Sequence, residues 1–130
     1  MLSEKSKLLK VFNNHFQQFF DFIVETFPDN EDLFTASKSF ELIKKANPTI
    51  IIKAWKNHIY LPYKEIIDAK NLDFIVEKNY TQDLSMFSNL REILEIIDKL
   101  REPIKIMNEE DKEKTMTYIL TLSKLSIIYN

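Results

Sequence analysis

The sequence predicts an all-α fold, a single-domain, irregular bundle of about five to seven helices over residues 1–130. Three observations carry this. The chain has no glycine at all, where average usage of about 7% would give roughly nine. Its four prolines, at 28, 48, 62 and 103, divide it into lengths that suit helices. Between them, apolar residues recur at i, i+3, i+4 and i+7, the period of a one-faced helix. Tight hairpin turns need positive φ at one or two positions and usually take glycine there, so a β-meander is disfavoured.

The first helix is expected from about Ser3 to Phe27. At 100° per residue, Leu8, Leu9, Phe12, Phe16, Phe19, Phe20, Ile23 and Phe27 fall within an arc of about 120°. Pro28 stops it. Asp29 or Asn30 then caps a second helix whose first turn carries Glu31 and Asp32, the sign the helix dipole favours. Its seam is Leu33, Ala36, Phe40 and Ile43. Asn47 closes it, and Pro48 is expected at the first position of a third helix.

That third helix, about Pro48 to Leu61, is apolar nearly all round, which suits a central element. Its polar strip reduces to Lys53, Lys56, Asn57 and Tyr60. Pro62 is expected to kink or restart it, with Tyr63 to Ala69 following as a further helical turn or two. Residues 70–83 are the least defined, either a short helix or an extended segment. From about Leu84 to Glu102 a seam of Met86, Leu90, Ile93, Leu94, Ile97 and Leu100 returns, and Pro103 is expected to bend or break this helix. Asn108, with Asp111 three residues on, is placed to cap a last helix from about Glu109 to Ile128.

Composition excludes several functions. Without glycine there is no phosphate-cradling loop, no dinucleotide fingerprint and no nucleophile elbow. Without cysteine there is no disulfide framework, zinc finger or thiol nucleophile. A net charge of −2 sets no general bias toward nucleic acid or anionic membranes. No run of about 18 apolar residues is present, so no membrane insertion is expected. Met1 to Lys5 begin no signal-peptide pattern, and an intracellular location is expected. Neither catalytic residues, nor a cofactor, nor a metal site is expected. His15 flanks the Phe stripe and His58 projects onto an apolar arc, where a buried, neutral, hydrogen-bonded ring is the reading. The carboxylates Glu92, Glu95, Asp98 and Glu102 alternate with Arg91, Lys99 and Arg101, as a solvated face does.

Two stretches stand out as candidate binding surfaces. The first is basic and aromatic: Lys53, Lys56, Tyr60 and Lys64 could pair phosphates and stack bases. Trp55 projects to another face, and residues 48–70 carry a net charge of only +2, so Trp55 is expected in the core. The second stretch is the last helix. With Met116 at zero, Met116, Ile119, Leu120 and Ile127 form one sector. Tyr118, Leu122, Leu125 and Tyr129 form another near 180–240°, giving an apolar arc of about 220°, wider than one buried stripe. Either the helix is wedged between neighbours, or Tyr118, Leu122, Leu125 and Tyr129 meet a protein partner or a second copy.

Three segments resemble small helical proteins encoded by large DNA viruses of eukaryotes: FQQFFDFIVETFPDNEDL (16–33), LIKKANPTIIIKAWKNHI (42–59) and LREPIKIMNEEDKEKTMTYILTLSKL (100–125). The resemblance implies a viral origin, in host-cell cytoplasm or a virion, and assigns no residue a role. The functional expectation is a non-enzymatic interaction or structural protein that docks through apolar helix faces on itself or on a larger assembly such as a capsid. The nucleic-acid reading stands as the alternative.

Overall fold

The computed structural model describes residues 3–129. Every regular element among them is helical: α1 (Glu4–Thr26), α2 (Glu31–Ala46), α3 (Ile50–Ala54), α4 (Lys64–Asp68), α5 (Leu72–Glu77), α6 (Leu90–Lys105) and α7 (Glu109–Ile128). Between α3 and α4 the helix does not stop. It widens into a π turn over Trp55–Tyr60 and tightens into a 3₁₀ turn over Leu61–Tyr63. Six helical rods result, and the all-α irregular bundle is the observed architecture.

Four of the helix starts are written in side chains that accept backbone N–H bonds. Ser3 Oγ accepts from Ser6 N at 3.0 Å, Asn30 Oδ1 from Leu33 N at 3.1 Å, Asn71 Oδ1 from Phe74 N at 3.1 Å and Asn108 Oδ1 from Asp111 N at 2.8 Å. Each satisfies one of the four donors that a helix start leaves unpaired. Phe27, just before Pro28, ends α1, because the residue ahead of a proline is pushed out of the helical region.

One aromatic core holds the rods together. α1 contributes Phe12, Phe16, Phe19, Phe20 and Ile23. From α2 come Leu33, Ala36, Phe40 and Ile43, which are its buried residues. The Phe16 and Phe40 rings lie 4.8 Å apart, and Trp55 meets Phe16 edge-on at 6.1 Å, both favourable aromatic arrangements. α1 packs on α7, and α2 packs on α6. Lys99 and Asp32, 3.3 Å apart, bridge the rim of the second pair. α3 is central, with Ile50, Ile51, Ile52 and Ala54 all buried.

Four details differ from the sequence reading. Pro48 is not the first residue of α3. It lies in the preceding turn, where its carbonyl accepts from Asn13 Nδ2 at 2.9 Å, and the helix starts at Ile50. α6 starts at Leu90 rather than about Leu84, because residues 81–86 fold as turns. Met86 therefore leaves the expected seam and is 73% exposed, while Leu84 is buried from the turn instead. Pro103 does not end α6, which runs two residues further to Lys105. The uncertain stretch 70–83 contains the short helix α5 and no strand.

Candidate functional site

The last helix explains its own wide apolar arc. Its buried residues are Thr115, Met116, Ile119, Leu122, Ser123 and Ser126. On a helical projection with Met116 at zero they span about 120°, bridging the gap between the two apolar sectors and centred near Ile119. Half of that seam is hydroxyl. Thr115 Oγ1 donates to Asp111 O at 2.9 Å, Ser123 Oγ to Ile119 O at 2.8 Å and Ser126 Oγ to Ser123 O at 2.8 Å. Back-bonding satisfies the hydroxyls, so small polar residues can face α1 and the π turn without an orphaned donor. Trp55 Nε1 donates to Ser123 Oγ at 2.9 Å, which places the indole in the core, as expected.

The four expected interface residues therefore separate. Leu122 is 0% exposed and belongs to the chain's own core. Tyr129 is also buried. Its carbonyl accepts from Lys56 Nζ at 2.6 Å, and Lys5 Nζ sits 4.9 Å over its ring. Leu122 and Tyr129 are thus corrected from partner contacts to internal ones. Tyr118 and Leu125 flank the seam on one side and are half-buried. Tyr118 stacks on Phe19 at 5.3 Å and on Phe22 at 5.7 Å, with the His15 ring 5.1 Å away.

Leu125 leads to a feature the sequence reading missed. The N-terminal half of α1 and the C-terminal end of α7 form a surface groove of about 640 Å³. Its apolar floor is Leu8, Val11, Leu125 and Ile128, with Tyr129 at the end and Glu4, Lys5 and Lys7 along the rim. Val11 is 51% exposed and Ile128 62%. Val11 lies outside the Phe stripe of α1, and Ile128 outside the buried seam of α7, so neither side chain is spoken for inside the fold. A signal was present in the sequence: Val11 and Ile128 are apolar residues that no single buried arc of their helices accommodates.

The basic-aromatic stretch does not assemble as a strip. Tyr60 is 4% exposed, and its hydroxyl donates to Asp68 Oδ1 at 2.8 Å. Its ring is not available to stack on a base, which corrects that expectation. The cause is the π turn. In a regular helix the Pro62 ring would collide with the carbonyl of His58. The backbone widens ahead of it, and over six residues the side chains lag by about a quarter turn, carrying Tyr60 back to the core. Lys64 is paired to Asp68 Oδ2 at 2.6 Å, and Lys56 is held by the Tyr129 carbonyl. Lys53 alone of the three lysines stands exposed with no bond of this kind among the described residues.

Electrostatics follow the same packing. The Lys64 ammonium and the Tyr60 hydroxyl hold the Asp68 carboxyl below its ordinary value, while Asp68 raises Lys64. Burial, with Asp68 second, raises the Tyr60 hydroxyl above 10. His15 is lowered by desolvation: its ring is partly exposed, but Nε2 is enclosed without a hydrogen-bond partner. His58 is half-buried rather than buried and meets Phe87 edge-on at 5.2 Å. Among the described residues, no three His, Asp or Glu side chains converge as metal ligands would, and no helix is long and apolar enough to cross a membrane. No family model, curated protein or solved structure matches this chain.

Proposed function

We propose that this protein is a non-enzymatic interaction or structural protein that docks through the apolar groove between α1 and α7. The occupant is a second copy of the chain, alone or within a larger assembly. Host-cell cytoplasm or a virion is the setting that goes with the viral resemblance. One observation carries the reading: Val11 and Ile128 are exposed side by side in a concave groove floored by Leu8 and Leu125. Contiguous apolar surface of that kind, rimmed by charge, is what protein interfaces bury. A second exposed apolar pair, Phe34 and Leu42 on α2, has the Lys38 ammonium 5.1 Å over the Phe34 ring, which partly shields it from a partner.

The test is the mass in solution of the wild type and of a Val11→Glu, Ile128→Glu double variant, by light scattering with circular dichroism alongside. The wild type is expected above monomer mass, and the variant at monomer mass with unchanged helix content. A wild type that stays monomeric at every concentration rejects self-association. A variant that keeps the wild-type mass rejects the groove. Substitution at Leu122 would not serve, because that side chain tests folding rather than docking.

A further inference from the structure

We infer that the cavity beneath α5 is a binding site for a small, apolar molecule. It is separate from the α1–α7 groove and independent of the docking reading. Its volume is about 90 Å³. The floor is Phe19 of α1, Trp55 of the π turn and Ile119 of α7, and the roof is Ile75 and Val76 of α5. Ile97 and Arg101 of α6 stand at its partly exposed edge.

Three observations point to a ligand rather than to loose packing. First, the walls are hydrocarbon apart from Arg101, whose Nη1 and Nη2 are taken up by backbone carbonyls and whose Nε is the one polar atom there without a hydrogen bond. An enclosed apolar cavity of about 150 Å³ takes benzene or xenon, and on that scale this half-open pocket of about 90 Å³ suits an apolar guest of about four heavy atoms. Second, the site is built around the π turn. A π turn is rare and recurs at functional sites, and here it sets Trp55 and Ile59 against the void. The pocket opens partly to solvent, and a larger residue at position 76 would fill it.

Third, the roof is latched rather than cemented. α5 is six residues long. Beyond its apolar side chains, it is held to α6 by Arg101, whose Nη1 donates to Glu77 O at 3.2 Å and Nη2 to Lys78 O at 2.6 Å. The third donor, Nε, is enclosed without a hydrogen bond, since Asp98 Oδ1 lies 3.2 Å away but outside bonding geometry. Lifting this short helix breaks two bonds at the surface end of the cavity and opens the apolar path past Ile97.

Xenon and isobutene are the probes, read on the methyl resonances of the full chain. Saturable shifts are expected at Ile75, Val76, Ile104 and Ile119, with Leu33 and Ile43 of the α1–α2 side unmoved. Val76→Phe fills the void and should weaken both probes by about tenfold or more. If that variant fails to fold, Ile97→Phe, at the half-buried edge, gives the same reading by closing the entrance. Arg101→Lys, which cannot span both carbonyls, should speed exchange of the guest. No saturable shift in the wild type, shifts spread equally over Leu33 and Ile43, or undiminished binding in a folded filled variant would each overturn the site.

Discussion

Lys70 shows what a chain without glycine does where the backbone must turn left. It has φ of 62°, the one positive φ among the described residues. It follows α4 as the residue after the cap, the position glycine usually takes. Lys70 N bonds Ile67 O at 2.9 Å and Asn71 N bonds Ile66 O at 3.2 Å, the paired closure of a Schellman ending. A residue with a Cβ holds this conformation at a cost of about 1–2 kcal/mol, of which glycine would return part as extra freedom in the unfolded chain. Lys70→Gly should therefore stabilise the fold by about 0.5–1 kcal/mol, seen as a higher urea midpoint with an unchanged slope. A lower midpoint would mean that the lysine side chain supports the turn. The absence of glycine is legible at once in the sequence. Which residue bears the strain is not, because it depends on where α4 ends, and that follows from the Pro62 detour upstream.

At the scale of elements, legibility depended on whether the helix followed one period and one chemistry. α1 and α2 did: their stripes are apolar, regular and closed by Pro28 and Asn47, and they pack as the sequence implies. α7 has clear ends at Asn108 and Tyr129, but the sequence leaves its buried face open, because counting apolar residues passes over Thr115, Ser123 and Ser126. Hydroxyls that bond back to their own helix are interior residues in all but name. The π turn defeated the reading differently, since a fixed step of 100° is wrong through Trp55–Tyr60. The groove of Val11 and Ile128 was missed for a third reason: it joins two helices more than a hundred positions apart, and no single-helix projection shows it. The α7 seam makes a prediction of its own. Ser123→Ala removes the acceptor of the buried Trp55 N–H, and leaving that donor unpaired should cost about 1–3 kcal/mol. With Trp55→Phe in the background the same change should cost much less, so a double-mutant cycle by denaturant unfolding reads the coupling directly. Equal costs in both backgrounds would show that the indole finds no bond at Ser123.

At the scale of the whole molecule, stability should fall on both sides of neutrality, for separable reasons. On the acid side His15 acts first. Its folded value lies below 6.5 because burial disfavours the imidazolium. As pH falls from 6.5 toward that lower value, the unfolded chain takes up a proton that the folded chain does not. Stability then drops through this window and levels off beneath it. Asp68 acts later with the same sense. Its folded value lies below 3.8, so its contribution is present above 3.8 and lost as pH falls through the folded value. On the alkaline side Tyr60 and Tyr80 are both raised above 10, chiefly by burial. Tyr80 donates its hydroxyl to Ile75 O at 2.7 Å in the segment that roofs the cavity. Above pH 10 the unfolded chain releases those protons while the folded chain keeps them, so stability declines as pH rises. Urea midpoints across the range should trace this dome. His15→Gln should flatten the step just below about 6.5 and leave the alkaline limb in place. Tyrosinate absorbance should show Tyr60 and Tyr80 titrating later in the folded protein than in urea. An acid limb of the same shape in His15→Gln would assign that loss to the carboxylates instead.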